Sequence, residues 1–326
     1  MAYTITPEQT SWFAETFSRL VANIEQAVVG KRAVVELTVT CMLSGGHLLL
    51  EDVPGTGKTS LAKALANTVE GTHARIQFTP DLLPSDVTGS TIYNQRTGEF
   101  EFHPGPVFAT IVLVDEVNRA SPKTQSALLE VMEEGQVTID GTGHRVGPPF
   151  MVIATQNPVE QSGVYPLPEA QLDRFLMRTS LGYLDHDSTV ALLASASVRD
   201  RSAAVGPLIT AGAVVQMTEL VAHVNVDQAI LSYISRLAEA TRESSLVKLG
   251  VSTRGCIALV RAVKTFSLGQ GRAYALPDDV KTLVRPVLGH RLMLTPDAEF
   301  AGATVDAVLE RVLADVAPPV ERGVPV

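Results

Sequence analysis

The sequence is poor in cysteine, has no long hydrophobic run and carries no excess of positive charge. Its two cysteines, Cys41 and Cys256, are too few for a disulfide framework or a structural zinc site. Its longest apolar runs, such as residues 111–114, are far too short to cross a bilayer, so membrane insertion is not expected. The first twenty residues lack a basic run before an apolar one, which predicts no signal peptide and a cytoplasmic protein.

Acidic residues outnumber basic ones along the chain. The 35 Asp and Glu residues against 26 Lys and Arg residues give a net charge of −9. This balance argues against a general affinity for nucleic acid or for anionic lipid. The length of 326 residues, of which 45% are hydrophobic, predicts two domains. Each can bury a hydrophobic core large enough to fold without a disulfide or a structural metal.

The first half of the chain alternates short apolar runs with helical patterns. Ser121 and Pro122 offer a cap and a first-turn proline to one helix, and Gly135 would end it. Apolar strands that alternate with helices predict an α/β fold with a parallel sheet between helices. The predicted strands are residues 47–50, 75–78, 110–114 and 150–154, and the predicted helices are residues 58–69 and 121–134.

The second half of the chain loses the strand signal near residue 184. Ile257, Val260, Val263 and Phe266 recur at helical spacing and predict a helix. Helices are predicted over residues 226–242, 252–268, 277–288 and 305–316. The predicted organisation is a helical segment over residues 1–27, an αβα core over 28–183, and an all-α domain with a loose tail over 184–326.

A glycine-rich loop follows the first predicted strand and opens a helix, which is the setting of a phosphate-binding loop. Its glycines let successive backbone N–H groups point at phosphate oxygens, its lysine reaches the outer phosphates, and Thr59 offers a hydroxyl to Mg²⁺. Asp52 stands where the common pattern has its first glycine. The predicted nucleotide-binding residues of the loop are Pro54, Gly55, Thr56, Gly57, Lys58, Thr59 and Ser60.

An acidic pair, Asp115 and Glu116, closes the third predicted strand. Two carboxylates at a strand end are costly to desolvate unless a cation sits beside them. Together with a phosphate loop upstream, the pair predicts an NTP site in which Asp115 holds Mg²⁺ and Glu116 polarises the attacking water.

Three longer stretches resemble the MoxR type of AAA+ ATPases. They are residues 46–55 (GHLLLEDVPG), 77–86 (QFTPDLLPSD) and 114–134 (VDEVNRASPKTQSALLEVMEE). The resemblance extends from about residue 28 to residue 291, and Asp52 is itself frequent in that family. It implies a P-loop NTPase core with a helical lid, the ligands ATP and Mg²⁺, and ATP hydrolysis.

The resemblance also assigns residues outside these motifs. Asn157 matches the sensor that orients water against the γ-phosphate, although an asparagine before Pro158 is equally a turn former. Val29 and Gly30 match the stretch that packs near the adenine, and without the resemblance they indicate only a turn.

Two arginines are assigned in the same way. Arg174 matches the arginine finger that completes the ATP site of a neighbouring subunit, with Arg178 as the alternative. The alternative is that Arg174 has no catalytic role and forms a surface ion pair with Asp173 or Glu169. Arg254 matches the lid arginine that acts in catalysis and binds the phosphates, and otherwise is a solvated charge.

Two segments are predicted to project from the core as hairpins. Residues 91–94 and 99–102 alternate around a turn at 96–98, inside an insert over about residues 79–106, and the resemblance implies the helix-2 insert that faces the pore of a ring. Residues 135–146 match the hairpin that precedes the water-orienting sensor. Ordinary surface hairpins are the alternative for both.

The resemblance implies a chaperone-like motor that assembles as a ring, commonly a hexamer. It also implies a protein client and a partner with a von Willebrand factor A domain, which we expect to be a separate chain. A DNA-directed motor and a metal-chelatase subunit share this kind of ATP site. The insert has one arginine against four acids, Asp81, Asp86, Glu99 and Glu101, which makes nucleic acid an unlikely partner by charge.

Overall fold

A computed structural model of the chain describes residues 4–53, 55–157, 163–194 and 201–319. Pro54, a predicted member of the phosphate loop, lies outside the described residues. The chain forms two compact units, one of Phe17–Met217 and one that combines Met1–Thr16 with Thr218–Val326. The unit Phe17–Met217 ends after the boundary that was predicted near residue 184. The segment from residue 184 to Met217 makes its contacts within this unit. The predicted domain limits themselves remain a prediction.

The unit Phe17–Met217 is built on a sheet of five parallel strands, in the order β10-β1-β9-β6-β3. Every residue of β6 is buried, as expected for a strand covered on both faces. The strands of this unit are β1 (Leu48–Glu51), β2 (Val69–Glu70), β3 (His73–Gln77), β4 (Gly89–Asn94), β5 (Glu99–Pro104), β6 (Ile111–Asp115), β7 (Gln136–Ile139), β8 (Thr142–Arg145), β9 (Met151–Gln156), β10 (Met177–Thr179) and β11 (Ile209–Thr210).

The strand register brings the candidate site residues to one edge of the sheet. Glu51 at the end of β1 lies opposite Gln156 of β9, and Asp115 at the end of β6 lies opposite Gln77 of β3. Since all five strands are parallel, their carboxyl ends share one edge. The loop after β1, the acidic pair after β6 and Asn157 after β9 therefore leave the sheet on the same side.

Helices surround this sheet and their ends follow the predicted signals. Ser121 accepts a hydrogen bond from the backbone N–H of Thr124, Pro122 is the first helical residue, and Gly135 ends the helix at φ +61°. The helices that lie wholly or partly in this unit are α1 (Pro7–Glu25), α2 (Arg32–Leu43), α3 (Lys58–Thr68), α4 (Pro84–Thr88), α5 (Pro122–Glu134), α6 (Glu169–Leu172), α7 (His186–Ala194) and α8 (Ala211–Ala222). The predicted α/β fold class is confirmed.

Both predicted hairpins are present. Strands β4 and β5 form the first hairpin and β7 and β8 form the second, each an antiparallel pair separate from the central sheet. Asp140 and Gly141 make the turn of the second hairpin, both with positive φ, as a tight two-residue turn requires. The ring of Phe102 in the first hairpin stacks on His144 in the second, with ring centroids 3.9 Å apart.

The other unit is helical, with α9 (Gln228–Glu243), α10 (Thr253–Gly269), α11 (Pro277–Leu288), α12 (Pro296–Phe300) and α13 (Val305–Asp315). It also contains a short antiparallel pair, β12 (Val247–Leu249) with β13 (Met293–Leu294), so the prediction of helices alone was incomplete. Strands of two and three residues are too short to show an alternating pattern.

The predicted helix is present as α10, but most of the residues whose spacing indicated it are not buried. Ile257 is exposed and Val260 and Phe266 are half-buried, whereas Val263 is fully buried. Ala258, Leu259 and Ala262 are buried beside Val263, so the buried face of α10 is rotated away from Ile257. No helix among the described residues has the length and apolar character needed to cross a membrane.

Candidate functional site

The phosphate loop has the backbone conformation that its glycines predict. Gly55 and Gly57 have φ values of +86° and +98°, a region that side chains with a Cβ atom avoid. Gly57 is the N-cap of α3, and Lys58 and Thr59 form the first turn of that helix. The loop therefore presents a helix N-terminus, which favours anions.

Asp52 is buried and anchors the base of this loop. Its carboxylate accepts hydrogen bonds from the backbone N–H groups of Leu181 and Gly182, the latter at 3.0 Å. Its backbone carbonyl accepts a hydrogen bond from Lys58 Nζ at 2.7 Å. Asp52 is not in the positive-φ region, so a glycine is not required at this position. The aspartate instead ties the loop to the segment after β10.

We expect Asp52→Gly to destabilise the protein even though it restores the common motif. The change leaves two backbone N–H groups without their acceptor. An unsatisfied buried group lowers the free energy of unfolding by about 1–3 kcal/mol. A loss of this size lowers the melting temperature by several degrees. Asp140→Gly is the matched control, because Asp140 is exposed at positive φ, and should leave the melting temperature unchanged or raise it. Differential scanning calorimetry measures the melting temperatures of both variants and of the wild type. Equal melting temperatures for Asp52→Gly and Asp140→Gly would contradict the anchoring role.

The acidic pair is held by neighbours on both adjacent strands. Asp115 is buried, and its carboxylate contacts Arg75 Nε at 2.7 Å and accepts a hydrogen bond from the Thr155 hydroxyl at 3.3 Å. The same hydroxyl accepts a hydrogen bond from the Glu116 N–H at 3.1 Å. Thr155 thus fixes the two carboxylate residues relative to each other.

Glu116 has a strained backbone and a carboxylate held by two donors. Its φ of 58° lies in the left-handed region, which costs a residue other than glycine roughly 1–3 kcal/mol and is found most often at functional sites. Gln77 Nε2 donates to Glu116 Oε2 at 2.9 Å, and Arg119 Nε lies 3.2 Å from the same oxygen. The carboxylate is therefore oriented by donors and partly exposed to solvent.

A cavity of about 440 Å³ adjoins the phosphate loop within the unit Phe17–Met217. Apolar side chains from the turn after α1 and from α7 form one part of its wall, and Lys31 Nζ donates to the carbonyl of Tyr183 at 2.6 Å. A volume of this size suits a small organic ligand. The lining residues are Ala27, Val28, Val29, Lys31, Gly55, Thr56, Gly57, Ser60, Gly182, Tyr183, Leu184, Thr189, Leu192 and Arg201.

The helix that walls this cavity is fixed at its start. The N–H and hydroxyl of Ser188 donate to Asp185, and these hydrogen bonds lower the pKa of the Asp185 carboxyl. Gly30 packs against the same turn, and a Cβ atom added there would lie 2.4 Å from Ser188 Oγ. The predicted pair Val29 and Gly30 is therefore beside the cavity, with Val29 in its wall.

Comparison with known proteins identifies the family. A model described as "ATPase family associated with various cellular activities (AAA)" matches residues 47–177, and an AAA lid domain model matches residues 239–312. Chaperone MoxR1 of Mycobacterium tuberculosis is 40% identical over 319 residues, which cover 95% of this chain and 84% of that protein. Protein MoxR of Paracoccus denitrificans is 30% identical, over 95% and 98% of the two chains. A crystal structure from Cytophaga hutchinsonii, of a protein assigned as an ATPase, is 39% identical with a TM-score of 0.89, over 96% and 98% of the chains.

The chain belongs to the MoxR family of AAA ATPases. The match covers 84–98% of the length of these relatives, and the predicted family and ATPase activity are confirmed. The MoxR ATPase hydrolyses ATP, and the loop, the acidic pair and the cavity are the features of its fold that suit a nucleotide.

The two candidate finger arginines of this MoxR ATPase have different surroundings. Arg178 on β10 pairs with Glu51 at 3.1 Å, directly before its own phosphate loop. Arg174 pairs with Glu133 of α5 at 2.8 Å, whereas the alternative considered from the sequence was a pair with Asp173 or Glu169. Arg174 also lines a second, open cavity of about 570 Å³, with Ser126, Glu130, Glu134, Gln136, Ala170 and Gln171.

The two predicted sensors belong to different units. Asn157 is buried directly after β9, in the same unit as the phosphate loop. Arg254 is exposed in the first turn of α10, in the unit that includes Thr218–Val326. The role of each in the ATP site remains a prediction.

Several residues at the site were not predicted from the sequence. Arg75 and Gln77 contact the acidic pair, and the only available signal was their spacing of two on a strand that ends beside it. Lys31, Tyr183 and Arg201 line the cavity from segments far apart in the chain. No local pattern marks such residues, because their shared position depends on the fold.

Proposed function

We propose that this MoxR ATPase is a ring-forming, Mg²⁺-dependent motor that remodels or matures protein complexes. The observation that carries the proposal is the junction of a glycine-rich loop, an acidic strand end and a ligand-sized cavity within one compact unit. We propose that the loop and Lys58 hold the phosphates, while Val29, Gly30 and the apolar wall of the cavity receive the adenine.

The donor set of the site suits magnesium brought in with a nucleotide. No group of three or more His, Cys, Asp or Glu residues within the described ranges could hold a metal on its own. Mg²⁺ prefers oxygen ligands and commonly binds through one or two carboxylates together with substrate phosphates. Thr59 and Asp115 are the proposed protein ligands, and the ion would neutralise charge on the phosphates.

The catalytic residues act on the water and on the phosphate charge. Glu116 orients and polarises the attacking water, and the donors Gln77 and Arg119 restrict where its carboxylate can lie. Asn157, at the end of the neighbouring strand β9, offers an amide to the same water. Arg254 supplies charge from the helical unit, and Arg174 supplies it from an adjacent subunit.

The proposed assembly and partners rest on membership of the family. A relative 40% identical to this chain is named a chaperone, which supports action on proteins. The pairing of Arg178 with Glu51 in the same chain supports Arg174 as the arginine that acts between subunits. We propose a homo-oligomeric ring, commonly a hexamer, with a separate von Willebrand factor A domain partner and a protein client.

We expect Lys58→Ala to weaken nucleotide binding by about 10–100-fold, since the charge contact with the outer phosphates is lost. Isothermal titration calorimetry with ATPγS in the presence of Mg²⁺ measures the affinity. A separate titration uses ATP without Mg²⁺. Lys248→Ala, on the exposed strand β12 of the other unit, is the matched control. Unchanged affinity in Lys58→Ala would reject the assigned phosphate loop.

A further inference from the structure

The first hairpin has two chemically different faces. Strand β5 alternates Glu99, Phe100, Glu101 and Phe102, so that its aromatic and acidic residues point to opposite sides. Tyr93 of β4 lies directly opposite Phe100, and the two ring centroids are 5.2 Å apart. One face is therefore aromatic, and the other carries the carboxylates of Glu99 and Glu101 beside Ile92, which lies opposite Glu101 and is 50% exposed.

The outer part of the aromatic face does not belong to a core. Phe100 is 74% exposed and Tyr93 is 52% exposed. Phe102, nearer the root of the hairpin, packs instead against Phe108 and His144. The packing of the root explains how the hairpin is held, but it leaves the pair at the tip in solvent. Clustered exposed aromatics mark an interaction surface.

The edge of β5 is also open. Within the described residues, β4 and β5 form a sheet of two strands, and no further strand pairs with β5. An open edge presents backbone N–H and C=O groups that can pair with an added strand. Two β5 edges from two copies would bring Glu99 and Glu101 against the same carboxylates, and like charges on adjacent strands repel. The edge therefore disfavours a second copy of itself.

We propose that β5 binds an extended client segment as an added strand, and that the segment alternates apolar and basic residues. Side chains of an added strand also alternate between the two faces. Apolar residues of such a segment would cover Phe100 and Tyr93, while lysines or arginines on the other face would meet Glu99 and Glu101. Arg96, the basic residue of the hairpin, lies in the turn, outside the paired strands. The inference rests on the proposed action on proteins, and specifies its client.

Fluorescence anisotropy of the full chain with labelled hexapeptides tests the pattern. The probe alternates valine and lysine, and two controls are a block of three valines followed by three lysines and an alternating valine–glutamate peptide. We expect the alternating basic probe to bind at least about tenfold more tightly than either control, a difference of the size that one good contact gives. N-methylation of alternate residues on the pairing edge should abolish binding, since it removes the donors of the ladder. Equal binding of all peptides would overturn the proposal.

Two substitutions test the faces of the hairpin separately. Phe100→Ser should weaken the basic probe about tenfold or more, and Phe300→Ser, which removes a 97% exposed phenylalanine from the other unit, should not. Glu99→Lys should weaken the basic probe and strengthen the valine–glutamate peptide, whereas Glu299→Lys on α12 should change neither. Retained selectivity in Glu99→Lys would overturn the assigned acidic face.

The outcomes separate this inference from the proposed ATPase motor. If the wild-type chain binds nucleotide normally but shows no preference among the peptides, the added-strand proposal is overturned and the ATP site still stands. Sedimentation velocity of Phe100→Ser provides the second readout. If this variant loses its assembly state and the wild-type chain binds no peptide, the surface is a contact between subunits and the client proposal is wrong.

Discussion

The variant Glu116→Gln is expected to bind ATP with near-normal affinity and to hydrolyse it about 10²–10⁴-fold more slowly, the range that general base catalysis supplies. Glutamine keeps the shape of the side chain and one oxygen for the Gln77 and Arg119 donors. It cannot polarise water as a carboxylate does. Phosphate contacts made by the loop are not affected, so binding and turnover should separate.

Steady-state phosphate release and calorimetry with Mg²⁺ and ATP measure the two quantities. Glu310→Gln, an exposed position on α13, is the matched control and should behave as wild type. Turnover within a few-fold of wild type in Glu116→Gln would show that another group activates the water. A parallel loss of binding would instead indicate that the glutamate is required for the shape of the site.

The second large effect is expected for Arg174→Ala. Removing an arginine finger lowers turnover by roughly 10³-fold or more, because the transition-state charge on the phosphate loses its counter-charge. ATP affinity should change little. Arg178→Ala is the informative comparison, since it breaks the pair with Glu51 beside the loop of the same subunit and should alter binding as well.

A mixing experiment distinguishes action between subunits from action within one. Subunits with Arg174→Ala keep Glu116, and subunits with Glu116→Gln keep Arg174. In a mixed assembly, the Arg174→Ala subunit has an intact phosphate loop and Glu116, and a neighbouring Glu116→Gln subunit can supply Arg174 to it. Such a pair forms a complete ATP site, so part of the ATPase activity should return. If the Arg174→Ala and Glu116→Gln variants form verified mixed assemblies that stay inactive, Arg174 does not act on a neighbouring subunit. It would then act within its own subunit or serve only in the ion pair with Glu133.

The local chemistry of the site could be predicted because it depends on contiguous residues. Gly55, Gly57 and Lys58 specify the loop through backbone conformation and charge, and Ser121 and Gly135 set the ends of α5. Four strands of the sheet were predicted from short β-rich runs, of which residues 110–114 and 150–154 are the most apolar. The strand β10, with Arg178 in the middle of three residues, shows no such run and was missed.

The contacts that hold the site together could not be predicted from local patterns. Asp52 departs from the common motif, and only the fold reveals that the N–H groups of Leu181 and Gly182 bind its carboxylate. The pairing of Arg75 with Asp115 spans forty positions in the chain and depends on the order of the strands. Sequence spacing sets the residue types available, whereas strand order decides which of them meet.

The stacked rings of Phe102 and His144 have a mechanical consequence. Each ring is attached to a separate hairpin, and the second hairpin leads into β9, whose end carries Asn157. A load applied at the tip of the first hairpin therefore has a side-chain route towards the strand beside the acidic pair. The two hairpins are therefore joined by a ring contact as well as by the chain itself.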